Sequence, residues 1–405
     1  MVNRLRTILI ATSCILVFYI VLGGVLGKSD SSTDKTYRNL GVYSEVLSRI
    51  KRDYVTEPDL SKVTGGAIRG LLEALDPYST YFSPQEYQDY LQHPEPGPAN
   101  VGIFLSKRLG FATVISVLPG SPAEKAGIKV GDVIDRVDNS PTRELSVVQI
   151  QRLLAGASGS TVTVALVRES RGEPEKVTVT RAVLNLPPVV AKMVDEGAAY
   201  LRVATFNKGK AAEIAAKIKE LTAGGADKVI LDLRNCAGGD VQEALDTASL
   251  FLEKGLITYL VGQRYPRQDI PAHPPANVCK LPLVVLINQS TAGPAELIAS
   301  AILGNKRGDV VGTRSFGIGV LQKPIPVGDG SALLLSVAKY YGPDGKAIHE
   351  NGVTPNIVEP AGAEAAGPDD DNGPEEPEHF GEKDDQQLRK AIEVLKQKYA
   401  PAKAA

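Results

Sequence analysis

The chain has 405 residues, 43% hydrophobic and 23% charged, with a formal net charge of −2. At about 150 residues per domain it has room for two or three domains, and the composition excludes a disordered chain and gives no general electrostatic case for binding nucleic acid. Three Cys cannot build a disulfide framework, and the four scattered His (His93, His273, His349, His379) show no metal-ligand spacing, so no metal site and no cofactor is expected.

Residues 7–26 are mostly apolar and about long enough to cross a bilayer core as a helix. Arg4 and Arg6 precede them and the first acid is Asp30. The positive-inside rule therefore predicts a single-pass anchor over residues 1–28, in the inner membrane, with the bulk of the chain exported to the periplasmic or extracytoplasmic side. A cleaved signal peptide is the competing reading, but it has a shorter apolar region and a small-residue cleavage site. Cys14 lies inside the span without a convincing lipidation motif.

Residues 36–95 read as helical. Tyr43, Val46, Leu47 and Ile50 share one helix face, and Asp59 opens a second helix that Asp76-Pro77 stops. The Pro-rich residues 94–98 form a linker. Residues 96–185 change period: 161–167 and 176–180 alternate as strands. Ser121 caps a short helix with Pro122 at its first position and Gly127 past its end. Residues 131–134 turn into a further strand. Ser146 opens an amphipathic helix to Leu154 with Val147, Ile150 and Leu154 on one face.

Residues 186–360 read as a parallel α/β domain. The runs 228–233 and 283–287 are nearly continuous apolar stretches, as strands covered on both faces should be. Gly-containing loops and helical segments follow them, at 241–252 and 295–303. Residues 199–206 form another strand, with its helix at 211–221. Residues 361–383 are an acidic solvated linker. Asp384 can cap a last helix over 384–400, which either packs back on the domain or dimerises.

This order of parts resembles the carboxyl-terminal processing peptidases, the tail-specific serine proteases of peptidase family S41. The motifs that carry the likeness run from about residue 41 to residue 360. Gly65-Gly66-Ala67-Ile68-Arg69-Gly70-Leu71-Leu72 leads to Leu75-Asp76-Pro77-Tyr78-Ser79, which is similar to the family's helical entry. Residues 120–134 are similar to a PDZ core, Asp232-Leu233-Arg234-Asn235-Cys236-Ala237-Gly238-Gly239 to its D-L-R-N-N-P-G-G turn, and residues 340–355 to its closing segment. The likeness implies a multi-domain α/β protein: an N-terminal helical segment, a PDZ-like β-rich module and a crotonase/ClpP-like parallel α/β core.

It also implies a Ser nucleophile, a Lys general base and an assisting Gln. In the pattern S-A-S-A-S-E the nucleophile stands three residues before the Glu; here the stretch is Thr291-Ala292-Gly293-Pro294-Ala295-Glu296, and the position holds Gly293. The base of F-G-K-G-x-V-Q falls at Ile318, and only Gln322 is retained. Glycine offers no attacking atom and isoleucine cannot take a proton, so covalent and acid–base chemistry are lost together. The expectation is a pseudopeptidase. Ser290 with Lys306 or Lys323, or Cys236 as a nucleophile, are the alternatives that would keep a serine-type endopeptidase alive. A Cys236–Cys279 disulfide is not expected, because the two residues stand at opposite ends of neighbouring parallel strands.

Gly238 and Gly239 would supply the amides that bind an oxyanion, or simply make a tight turn. A PDZ module binds an extended C-terminus by adding it to a sheet edge. Here Asn100, Val101, Gly102 and Ile103 match the carboxylate loop loosely, Phe104 and Leu105 would continue the edge strand, and Val147, Val148 and Gln151 would line the groove. The implied partners are polypeptide C-termini or exported proteins, which the chain would regulate or scaffold. An active paralogue, an adaptor or a second copy of the chain are further partners of that kind. A module that only packs against the core is the bland competitor.

Overall fold

The computed structural model describes residues 31–93, 97–108, 110–168, 173–273, 279–360 and 380–399. The apolar run 7–26 with Cys14, residues 94–96 of the Pro-rich linker, and residues 361–379 of the acidic stretch with His379 lie outside them. Among the described residues, no helix is long and apolar enough to cross a membrane.

Two compact units divide at Ile68 and Arg69. In the first, α1 (Ser31–Asp53) precedes α2 (Leu60–Glu73), which runs into the second unit. Asp59 accepts the amides of Ser61 and Lys62 at 3.0 and 3.1 Å, as a helix cap should. The stripe on α1 is open: Tyr43 and Val46 are exposed, and Leu47 and Ile50 are half-buried.

The second unit begins with a strap, β1 (Thr80–Phe82) and α3 (Pro84–Gln92), whose start is fixed by a Ser83–Glu86 capping box. The PDZ-like module follows as β2 (Ile103–Arg108), β3 (Phe111–Val117), α4 (Pro122–Lys125), β4 (Val133–Val137), β5 (Ser140–Pro141), α5 (Val147–Leu154), β6 (Thr161–Val167) and β7 (Glu175–Thr180). Its sheet order is β2-β3-β4-β6-β7, with β5 on β4. Val147, Ile150 and Leu154 of α5 are buried, so the predicted face is the packed one. Ser121 and Pro122 start α4 as expected, and Gly127 takes φ +76°.

The core is built from β8 (Val190–Val194), β9 (Ala198–Arg202), α6 (Lys210–Ala223), β10 (Lys228–Asp232), α7 (Val241–Ser249), β11 (Leu256–Val261), β12 (Gln268–Pro271), β13 (Leu283–Ile287), α8 (Pro294–Gly304), β14 (Asp309–Gly312), β15 (Val320–Pro326), β16 (Ala332–Tyr341), β17 (Ile357–Val358) and α9 (Gln386–Tyr399). One sheet has the order β17-β14-β13-β10-β9-β8, parallel except for β8. All five residues of β13 are buried, which explains its unbroken apolar run. Val229 and Leu231 of β10 pack in the cluster that holds Ile214, Ala244 and Ile298 of α6, α7 and α8, while Ile230 points to the other face. There it meets Leu388, Ala391, Val394 and Leu395 of α9, so the last helix packs back on the sheet.

Three details differ from the sequence reading. The strand expected over 199–206 ends at Arg202, and Phe206 makes only an isolated bridge to Gly239. The α9 cap is Asp385, not Asp384: its Oδ1 accepts the Leu388 amide at 2.9 Å. A second, antiparallel sheet of β1, β16, β11, β12 and β15 was not foreseen. Cys236 and Cys279 are free and buried.

Candidate active site

Three loops leave the carboxyl ends of β10, β13 and β14, the end of a parallel sheet where ligands usually bind. They are stitched together. The Asn235 amide donates to Asn288 Oδ1 at 3.0 Å, and Asn288 Nδ2 returns a bond to Asn235 Oδ1 at 2.7 Å. Asn235 sits at φ +55°, a left-handed conformation that Asn tolerates better than most residues. The Ala292 amide donates to Cys236 O, and the Phe316 amide to Thr291 O, both at 2.9 Å.

Gly293 stands at the elbow between the β13 loop and α8, with φ +63° and ψ −121°. A Cβ built there meets nothing within 4 Å, so the hollow beside it is open. Sharp elbows of this kind elsewhere hold a nucleophile above a sheet. Pro294 occupies the first helical position, where its missing N–H costs no bond. Glu296, fully buried, ties this elbow to the β14 loop. Its Oε2 accepts the amides of Gly293 (2.9 Å) and Ile318 (2.8 Å), and its Oε1 accepts Ser315 Oγ (2.5 Å) and the Gly317 amide (2.7 Å). Burial pushes its carboxyl up to about 7 although these donors pull the other way.

Ile318 thus lies on the loop bonded to the elbow, and it is half-buried among apolar neighbours. Gln322 donates to the Tyr78 carbonyl at 2.7 Å, holding the strap. Of the alternative groups, Ser290 and Cys236 stand on the site's own loops and the two lysines off them. Ser290 is 3% exposed, inside the β13 loop. Lys306 follows the far end of α8, whose 11 residues span about 16 Å. Lys323 stacks on the Tyr265 ring, 4.9 Å from its centroid. Burial raises the Cys236 thiol well above its ordinary pKa, the opposite of an activated nucleophile. His349 was read in the sequence only as one of four scattered His. It is buried beside Gly319 and edge-on to Tyr78, and desolvation lowers its pKa. Among the described residues, no acidic, His and Cys cluster could hold a metal.

Gly238 and Gly239 both have positive φ, +71° and +109°. A Cβ on Gly239 would lie 2.4 Å from Phe206 O, so the turn itself demands glycine there. A Cβ on Gly238 would lie 2.0 Å from Phe104 Cε1. Phe104, on the edge strand, therefore points out of the PDZ-like module onto this turn. Val101, Ile103, Leu105 and Val147 are buried in the module, and Val148 and Gln151 are half-buried on the outer side of α5. Gly102 at φ +87° leaves no room for a side chain, since a Cβ would meet Ser121 Cβ at 2.3 Å. The amides of Val101 and Gly102 donate to Asn100 Oδ1 at 2.6 and 3.2 Å.

The profile of peptidase family S41 matches residues 197–359, and a PDZ-domain profile matches residues 113–168. A carboxy-terminal-processing protease of Bartonella bacilliformis is 30% identical over 336 residues, covering 81% of this chain and 76% of that protein. The chain belongs to peptidase family S41. A carboxyl-terminal-processing protease of Synechocystis sp. is 32% identical over 318 residues, covering 76% of this chain and 74% of that one. Among solved structures, a photosystem II D1 C-terminal processing protease superposes with a TM-score of 0.65 at 27% identity, over 78% of this chain and 92% of its own. Within this S41 fold, Asn288, Asn235 and Glu296 keep the site's loops in place. The motifs held Asn235 and Glu296 without assigning them a role.

Proposed function

We propose that the protein is a membrane-anchored, exported S41 pseudopeptidase that binds polypeptide C-termini through its PDZ domain and regulates or scaffolds exported proteins without cleaving them. The observation that carries this reading is the pair Gly293 and Ile318, which stand on an elbow and a loop still bonded to Glu296. The scaffold of a catalytic pair is present, and the pair is not. A nucleophile needs an adjacent group able to take its proton, and neither partner exists here.

The test is proteolysis of an unfolded, contaminant-free substrate such as casein, with the wild type beside Gly293→Ser/Ile318→Lys. The wild type should leave the substrate whole, the double variant should cut it, and Gly293→Ser alone should not. Wild-type cleavage that Ser290→Ala abolishes would overturn the proposal in favour of a working endopeptidase. Saturable binding of a labelled C-terminal peptide, lost on blocking its carboxylate, is the matching test of the PDZ domain. Partners such as an active paralogue would be sought with the full chain.

A further inference from the structure

At the amino ends of β13 and β14, the opposite end of the parallel sheet from the elbow, a cleft of about 620 Å³ opens between the loops that follow α7 and α8. Four of its lining residues are cations, Lys254, Lys280, Lys306 and Arg307, and the single acid among them is Glu253. Glu253 is tied to Lys280 at 2.5 Å. Among the described residues, Lys254 and Lys306 make no ion pair and no side-chain hydrogen bond. A chain whose formal net charge is −2 thus turns three cations without a partner acid toward one hollow. Their mutual repulsion is a cost that the fold alone gives no reason to bear.

Arg307 is held ready. Its Nε donates to Phe251 O at 2.8 Å, and its Nη2 donates to Cys279 O and Leu281 O at 3.1 and 2.7 Å. Nη1 bonds to none of the described residues, so the guanidinium is fixed in place with one donor nitrogen to spare. Cations that follow a helix can serve merely to cap its last carbonyls. Here others do that work: Asn305 Nδ2 donates to Ala301 O at 2.8 Å, and the Lys306 and Arg307 amides donate to Leu303 O and Ile302 O. Lys306 itself stands at φ +55°, just past α8, where glycine is the unstrained choice.

We infer that this cleft is a binding site for a small anion bearing one or two phosphate groups. An anchored guanidinium with an open donor and two unengaged ammoniums complement the oxygens of a dianion, the guanidinium by direction and the lysines as mobile point charges. The volume is that of a small-molecule site. One local cluster on a chain without a general basic surplus does not suit a nucleic-acid strand, which needs cations along its length. A soluble phosphate ester and the headgroup of an acidic phospholipid are two sources of the same chemistry. The inference is independent of the reading of Gly293 and Ile318, which lie at the other end of the strands.

Inorganic pyrophosphate is the probe, titrated calorimetrically into the full-length protein in neutral detergent at fixed ionic strength. The wild type should bind one equivalent, and Lys254→Gln/Lys306→Gln should bind it about tenfold or more weakly. Both lysines are exposed, so this variant should fold as the wild type does. Lys208→Gln/Lys219→Gln removes the same charge from exposed positions outside the cleft and should leave the affinity unchanged. Non-saturable binding by the wild type, or an equal loss in the two double variants, would show charge attraction without a site and overturn the inference. Adding vesicles separates the two sources. Displacement of pyrophosphate by phosphatidic acid but not by phosphatidylcholine vesicles supports the site with a lipid headgroup as its ligand, and undisturbed saturable binding supports it with a soluble ester.

Discussion

Gly293 and Ile318 donate their amides to the same atom, Oε2 of Glu296, at 2.9 and 2.8 Å. The elbow and the β14 loop are therefore held to one another through one carboxylate, and each position can be altered with a defined expectation.

A serine at Gly293 would meet no steric obstacle, since nothing lies within 4 Å of the added Cβ. It would adopt φ +63°, which L-residues avoid, at a cost of about 1–3 kcal/mol. Gly293→Ser should therefore fold and lose stability by that amount in denaturant titrations. A loss of several times that size would mean that the hollow is not open.

Glu296 should leave a signature in the pH dependence of stability. Its native pKa of about 7 lies above the ordinary value of 4.5, so the native state keeps a proton that the unfolded chain releases between them. The stability from this group is full below the lower value and is lost as pH rises through the upper one, about 3 kcal/mol in all. His349, held below its ordinary 6.5 by burial, acts in the opposite sense, its contribution lost as pH falls through its native value. The readout is thus the difference between the wild type and Glu296→Gln, which should narrow with rising pH. A difference independent of pH would contradict the assignment.

Arg234 is 2% exposed and joins two buried carboxylates, Asp232 and Asp385, at 2.6 Å each. Tyr200 also donates to Asp232 at 2.6 Å, and the Phe380 ring lies 4.4 Å from the guanidinium. Arg234→Met leaves both acids without their cation and should cost about 3–5 kcal/mol. The loss should appear first as rapid proteolysis of α9. Unchanged protease resistance of α9 would show that the apolar face alone retains the helix.

Under the PDZ reading proposed above, a C-terminal carboxylate would compete for the loop amides with Asn100, whose Oδ1 lies 2.6 Å from Val101 N. Asn100→Ala removes that competitor. A labelled peptide with a free C-terminus should then bind the full chain more tightly, by about 1 kcal/mol, the net worth of one such hydrogen bond. Weaker binding would mean that Asn100 shapes the loop rather than blocks it.

Much of the site was legible because it lies in short motifs that local rules govern. Gly239 is required by a turn, Ser121 and Pro122 open α4, and the all-apolar run of β13 announces a strand buried on both faces. What the sequence hid was long-range. Phe104 reads as an edge-strand residue, and nothing local says that its ring crosses to Gly238. Asp385 is 151 residues from Arg234, so the motif residue was visible without its partner. The strand β16 escaped notice because both of its faces are largely apolar: Leu333, Leu335 and Val337 are half-buried opposite buried Ala332, Leu334, Ala338 and Tyr340, and the clean alternation that marks a strand is absent.

The docking of α9 also bears on how the protein is handled. The matched peptidase profile ends at residue 359, an inviting place to cut an expression plasmid. A chain trimmed there would leave Tyr200, Ile230, Val284, Leu286 and Val311 wet on one side of the sheet, and recombinant preparations would precipitate for want of a cover rather than for any fault in the domain.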